Sequence, residues 1–473
     1  MSLTSRLLLP LAVAFAVLAN ALVPTPAAAA VSPPETVAKA AAAFGLDSYA
    51  LQSAGNGRDL TRWLTAAVTL TGQDQSPRIV HLPSGQYTVT SSIKVSSGVY
   101  LVAEKDTVVT WSGGQGQLLR FPSAGKAGVY GGTWDGGTRK DSTLIAANRA
   151  TVALQALTVR NASQHGIAGY NRASLTLRDV RATSNYNGVF LQNSTLNASG
   201  LHATLNRRNG VQLSQNSVGT IEASYLDRNG RAVKGSTTGK TGHGLGVAAS
   251  QAIVTGTSLS GNKVCGTSLT DGARVELHSV TLNDNGRHGI GTTARTRAIV
   301  SDSVVRRNGY NGVLASGSGT QVELTRVGIS DSAKYGLSVP SSGAASITET
   351  VIERSRISNI SVSKNGRLTV GDNNTILSAK SHGIAVTGRS ALHLDGEGNL
   401  IQGNKGNGLL ISGSKTIGTL IARVQFTKNR KNGILVKSKA KLTMVPAGFS
   451  GNKGKQVLKQ SGAKVVTRQL VAE

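Results

Sequence analysis

The sequence predicts an all-β fold, a right-handed parallel β-helix of about a dozen coils forming a three-sheeted solenoid with short N-terminal capping helices. Three observations carry this. A Gly followed by an alternating aliphatic run recurs every 22 to 25 residues, as at Gly166, Gly188 and Gly210 and again at Gly266, Gly289 and Gly312. An Asn recurs four residues before many of these glycines, as at Asn206, Asn262, Asn285, Asn308, Asn404 and Asn429. Aromatic residues make up only 4% of the chain while Gly numbers 57 of 473, which suits narrow layers of small and β-branched side chains better than a thick globular core.

Each period has the same order. A Gly-aliphatic-x-aliphatic strand such as Gly188-Val189-Phe190-Leu191 comes first, then a polar turn such as Gln192-Asn193-Ser194. A second alternating run follows, then a third short one. Three strands and three turns use one period, and every ladder hydrogen bond then runs between coils stacked about 4.8 Å apart. Gly and Asn suit corners that need positive φ. The recurrent Asn can also build a side-chain ladder up the stack. A leucine-rich repeat of similar period would need its Leu pattern and helices, which are missing.

Residues 1–30 read as an export signal. Arg6 is followed by an apolar run to Leu22, then Pro24, Pro26 and four alanines at 27–30. The run is short for a membrane span. A secreted, extracellular, monomeric chain is expected after cleavage. Residues 31–77 read as an N-terminal cap, with one helix over 34–45 and a second capped by Asp59 and reaching about Leu70. Residues 78–452 read as the solenoid and 453–473 as a basic C-terminal cap or tail. The single cysteine, Cys265, excludes an intrachain disulfide.

The formal charge of +28 points to a polyanionic partner. From residue 398 to 472 there are 14 Lys and Arg and no acid. Lys437, Lys439 and Lys441 alternate with small residues and are expected to share a side of one coil as a binding patch. The expected partner is an acidic polysaccharide (a polyuronate) or an anionic wall polymer, with nucleic acid bound only non-specifically.

At this point the chain resembles a known superfamily. Arg58-Asp59-Leu60-Thr61 and Val80-His81-Leu82-Pro83-Ser84-Gly85-Gln86-Tyr87 look like the opening of pectate-lyase-like β-helix proteins. Val129-Tyr130-Gly131-Gly132-Thr133-Trp134-Asp135-Gly136 is similar to the first coil of polygalacturonases. The resemblance implies the pectin-lyase fold; the superfamily holds lyases, hydrolases, epimerases, esterases and non-catalytic adhesins, so it does not fix the chemistry. Gly242-His243-Gly244 matches the polygalacturonase Gly-His-Gly in form, but the Asn-Thr-Asp, Asp-Asp and Arg-Ile-Lys segments of those hydrolases are missing. So is the Tyr-Gly-Phe-Asp-Pro-His signature of alginate epimerases.

The position two after the repeat Gly carries Ala168, Phe190, Gln212, Gly246, Ser268, Gly291, Leu314 and Ser338. A hydrolase would need two facing carboxylates, and a calcium-dependent lyase would need clustered oxygen ligands. No cofactor and no metal are expected. The pairs of residues just before the repeat Gly include basic, aromatic and imidazole groups, as in Arg208-Asn209, Arg287-His288, Tyr310-Asn311 and Lys334-Tyr335. They point to proton abstraction beside a uronate carboxylate, by β-elimination or epimerisation. His243, His288 and Tyr310 are the candidate catalytic groups, and Arg208, Arg287 and Lys240 the candidate carboxylate binders. Lys240 lies in a basic Gly/Ser/Thr-rich insertion at 231–240 that lengthens the Gly210–Gly244 interval. Each His also has a simpler reading, as a turn residue that satisfies the backbone. The alternatives are a non-catalytic polyanion-binding solenoid and a polygalacturonase-like hydrolase.

Overall fold

The computed structural model describes residues 33–54, 60–68, 77–122, 125–137, 142–230 and 242–469. The export-signal reading of 1–30, the Asp59 cap, and the 231–240 insertion with Lys240 lie outside the described residues.

The chain winds into a three-faced parallel solenoid. The first face holds sixteen strands, from Ile93–Lys94 to Val457–Lys459, among the described residues. The second face runs from Arg78–Leu82 to Lys464–Thr467, with Ala50–Ser53 added at its N-terminal edge. The third face has six strands followed by seven, joined through single bridges at Tyr225, Ser258 and Thr281. Sixteen strands on the first face mean about sixteen coils, more than the dozen counted from glycines. The four additional strands (Ile93–Lys94, Gly116–Phe121, Ser142–Asn148 and Val457–Lys459) lack the Gly motif.

The register follows the repeat. Ile167, Val189, Val211, Leu245, Thr267, Ile290 and Val313 pair one above another on successive coils. All are completely buried. Alternation on a half-buried strand places these residues inward and their neighbours outward. The Asn ladder forms in the interior of one corner. The Asn206 backbone N–H and Nδ2 both donate to Asn229 Oδ1 at 3.0 Å, and the pattern continues through Asn262, Asn285 and Asn308. It lapses at Ser332, Ser355 and Ala379 and resumes over Asn404, Asn429 and Asn452.

The insertion does not disturb the stack. Val211 pairs with Leu245 and Val218 with Gln251 as in any other coil. The described residues on either side of the insertion, Gly230 and Gly242, are both at positive φ (86° and 114°). A Cβ on Gly230 would lie 2.5 Å from Gly242 Cα, so both ends need glycine.

Helix α1 (Glu35–Phe44) ends on Gly45 at φ 67°, whose N–H bonds the carbonyls of Ala41 and Ala42. It lays Val37, Ala40 and Ala41 on Ile79, Tyr100 and Val102, covering the outside of the second face. Helix α2 (Thr61–Val68) buries Leu64, Ala67 and Val68 in the main core at the N-terminal end. Such ends need covering because a terminal coil lacks a neighbour on one side. At the other end, Val457–Lys459 and Lys464–Thr467 pair with Ile434–Lys437 and Lys441–Met444 as the last coil.

Candidate active site

The column directly before the repeat Gly is largely structural. Asn187 Oδ1 accepts the Asn209 N–H at 3.2 Å, and Asn209 Oδ1 accepts the N–H groups of Gly242 and His243 at 3.2 and 3.0 Å. Asn407 Oδ1 accepts the Asn432 N–H at 3.0 Å, and His382 Nδ1 accepts the Asn407 N–H at 3.1 Å. His165 pairs with Asn187 Nδ2 at 3.1 Å and stacks flat on Phe190 at 4.3 Å. Burial, with the Arg208 charge, pushes His165 down to about 4. His165 and His382 therefore serve as neutral acceptors, as a turn residue would.

The column two before the Gly is in register and is exposed at Tyr186, Arg287 and Tyr310, with Val264 buried between. Arg287 donates its backbone N–H to Val264, Tyr310 to Arg287 at 2.7 Å, and Lys334 to Tyr310 at 2.6 Å. Their side chains gather. Lys334 Nζ sits 3.8 Å from the Tyr310 ring centroid and donates to the Tyr310 hydroxyl at 2.5 Å. That hydrogen bond and the Lys334 charge, with a smaller contribution from Arg287, hold the phenol below its ordinary value. Tyr310 is 37% exposed, so the activated oxygen is reachable from solvent.

His288 packs its ring edge-on against Tyr310 at 5.4 Å. It is 4% exposed, and its Nδ1 is buried without a hydrogen-bond partner among the described residues. Burial first, then the Arg287 and His243 charges, push it down to about 4, so it is neutral at pH 7. The structure thus brings Arg287, His288 and Tyr310 together and adds Lys334. Lys334 stands in the same column and was legible there, but only the stacked coils reveal its bond to Tyr310.

The other candidates stand apart. Half-buried His243 lies three coils from Tyr310, roughly 14 Å. Arg208 is three coils from Arg287; it covers Tyr186 at 5.7 Å and belongs with His165 and Phe190. Lys437 ends a first-face strand, Lys439 sits in the turn at φ 61°, and Lys441 opens a second-face strand. These three straddle a corner and lie about five coils, roughly 24 Å, beyond Tyr310.

A second concavity escaped the sequence reading. Arg120, Phe121, Asn148, Tyr170, Asn171 and Gln192 line a cavity of about 580 Å³ on the N-terminal part of the first face. Its signal was the in-register column Asn148, Tyr170 and Gln192 at the ends of their strands. Among the described residues, the outward row two after the repeat Gly carries no carboxylate, and no three His, Cys, Asp or Glu groups are placed to share a metal.

A family model described as the right handed beta helix region matches residues 243–398 and 289–447. Residues 243–447 therefore carry a right-handed β-helix region, in agreement with the parallel solenoid of the structure. No curated protein sequence matches it. Among solved structures, this β-helix is similar to the A-module of the mannuronan C-5 epimerase AlgE4 of Azotobacter vinelandii. That likeness has 15% identity over 86% of this chain and 96% of that one, with a TM-score of 0.39. It is similar to pectate lyase Pel9A at 16% identity over 56% and 78%, TM-score 0.38. The catalytic domain of a GH87 alpha-1,3-glucanase matches at 13% over 64% of each chain, TM-score 0.40. A fold alone does not fix chemistry, so that of this β-helix has to be argued from its own side chains.

Proposed function

We propose that this β-helix acts outside the cytoplasm, as a monomer and without a cofactor, on an acidic polysaccharide by removing the C5 proton of a uronate. The observation that carries the reading is the exposed, cation-activated Tyr310 between Lys334 and Arg287, beside a first face whose described strands carry no carboxylate. Arg287 and Lys334 pair with the uronate carboxylate and stabilise the charge that develops on it as C5–H breaks. The Tyr310 phenolate takes that proton. In elimination the C5 electron pair becomes the C4=C5 double bond, the C4–O4 bond breaks, and Tyr310 returns its proton to the leaving oxygen. In epimerisation the C5 electron pair instead takes a proton from solvent water on the opposite face, and Tyr310 gives up its own proton to solvent. Neutral His288 packs against the Tyr310 ring and fixes its orientation. His243, too far to share one sugar with Tyr310, is assigned to the neighbouring stretch of the same chain together with Arg208.

The test is turnover of a panel of polyuronates in deuterated water. Unsaturated ends are followed by ultraviolet absorbance and C5 exchange by proton NMR. Tyr310→Phe should lower the rate by about 10²–10⁴-fold, the usual worth of a positioned acid–base group. New reducing ends without unsaturation would favour hydrolysis. Undiminished turnover in Tyr310→Phe, or no C5 exchange or elimination on any polyuronate, would overturn the proposal.

A further inference from the structure

A second column of charge lies on the corner between the third and first faces, three residues before the repeat Gly. Arg356, Lys380, Lys405, Arg430 and Lys453 occupy it on five successive coils, and all five are exposed. Hydrogen bonds fix their register. The backbone N–H of Lys405 donates to Ala379, that of Arg430 to Asn404, and that of Lys453 to Asn429, at 2.8 to 3.0 Å. Each acceptor is the residue just before the cation of the preceding coil. The five positions therefore form a straight row parallel to the solenoid axis, about 19 Å long at one cation per coil.

Three features separate this row from an ordinary basic surface. The first is the distribution of acids. Earlier on the same corner, cations and acids alternate and cancel: Arg307 pairs with Asp284 at 2.6 Å and Arg354 with Asp331 at 2.8 Å. Beyond Arg354 the corresponding positions are Ser378, Gly403, Lys428 and Gly451. Among the described residues no ion pair reaches any of the five cations. The second is rigidity. Asn404, Asn429 and Asn452 immediately precede Lys405, Arg430 and Lys453 and are locked in the buried Asn ladder, so the backbone carrying the charges is already ordered. The third is shape. Arg306, Arg356, Lys380 and Lys405 line a cleft of about 870 Å³ together with Gly309 and Ala333, and the one carboxylate among its lining residues, Asp331, is already held by Arg354 and Arg306. A Cβ on Gly309 would lie 2.3 Å from the Gly286 carbonyl oxygen, so close coil packing keeps that position bare.

We infer that this corner is a docking track for a linear acidic glycan laid parallel to the solenoid axis. A uronan presents one carboxylate per sugar in a repeating line, and the row presents one cation per coil in a matching line. No aromatic ring is exposed along the five coils of this corner among the described residues, so the stacking platforms on which single-stranded nucleic acids depend are missing. The track shares a substrate class with the Tyr310 reading but not its residues, and it stands whether or not that site turns over.

The test uses the whole protein and fluorescently labelled oligogalacturonates of increasing length, with single- and double-stranded DNA of equal charge as competitors. Lys405→Glu/Arg430→Glu should weaken binding of the long oligomer by about tenfold or more and flatten its salt dependence. Lys437→Glu/Lys439→Glu, with the same change in net charge, should do much less. Affinity should rise with length until the oligomer spans the row. Binding is read apart from turnover, so a failure of the turnover reading and a failure of the track give different results. Equal loss from both charge reversals, affinity independent of length, or tighter binding of DNA than of the glycan would each overturn the inference.

Discussion

Replacing Asn285 by Ala tests whether the Asn ladder holds the coils together. Asn285 is 1% exposed. Its Oδ1 accepts from the Asn262 backbone N–H at 3.0 Å and from Asn262 Nδ2 at 3.1 Å, and its own Nδ2 donates to Asn308 at 3.1 Å. Alanine removes all three bonds. Asn262 Nδ2 keeps a second acceptor in the Leu226 carbonyl, but the Asn262 N–H is left buried and unpaired. A stranded buried donor costs about 1–3 kcal/mol and each lost side-chain bond about 0.5–1.5 kcal/mol, so the variant should lose about 2–5 kcal/mol. Urea unfolding followed by far-ultraviolet circular dichroism measures this from the midpoint and slope. Ser332→Ala is the matched control in the same column. Ser332 is fully buried and its Oγ has no partner among the described residues, so its removal should change stability by less than about 1 kcal/mol. A small loss in Asn285→Ala, or an equal loss in Ser332→Ala, would refute a stabilising role for the ladder.

Two further outcomes are expected. His288 is pushed down to about 4, chiefly by burial, whereas an unfolded histidine titrates near 6.5. The unfolded chain therefore takes up the proton first, and stability is full above about pH 6.5 and is lost as pH falls toward 4, by about 3 kcal/mol in all. Asn fills the same position at Asn187, Asn209 and Asn311, so His288→Asn should fold and show a flatter fall in urea midpoint across that window; an unchanged slope would count against the buried neutral imidazole. Burial pushes the Cys265 thiol up to about 11, so iodoacetamide should leave the folded protein unmodified and label it on unfolding, as mass spectrometry would show; rapid labelling of the folded protein would contradict its burial.

The fold was legible because one coil is one sentence of sequence repeated. Gly, the aliphatic alternation and the Asn fall at fixed spacing, and the spacing alone sets the register. The omissions have local causes. Asn229 belongs to the ladder, but the sequence insertion between Gly230 and Gly242 places it fifteen residues before Gly244 instead of four. Asn185 stands three residues before Gly188, and Asn452 has no repeat Gly after it. The site was partly legible. Reading the residues before each Gly as stacked columns brought Arg287, His288 and Tyr310 together. Which of these columns faces solvent was not legible, because His and Asn are polar and yet His288, Asn187 and Asn209 are buried. Nor was the cation row, since its members are 23 to 25 residues apart and no local motif links them.

The corner before the repeat Gly divides its labour by column, and this changes how a motif on it should be read. The fourth residue before the Gly and the residue directly before it point to buried polar positions, where Asn and His satisfy backbone groups of the adjacent coil. The second and third residues before the Gly, held between those two anchored positions, are largely free of backbone duties and face solvent. Substituting Arg, Tyr or Lys there disturbs few packing contacts, so chemistry can vary coil by coil on an unchanged scaffold. Gly242-His243-Gly244 draws the eye because His is a common catalytic residue. Yet the same position in the preceding coil holds Asn209, whose side chain accepts the backbone N–H of His243 itself, and in the following coil the buried Cys265. The chemical identity of this β-helix therefore resides in the exposed columns, in Arg287, Tyr310 and Lys334 on one side and the row from Arg356 to Lys453 on the other.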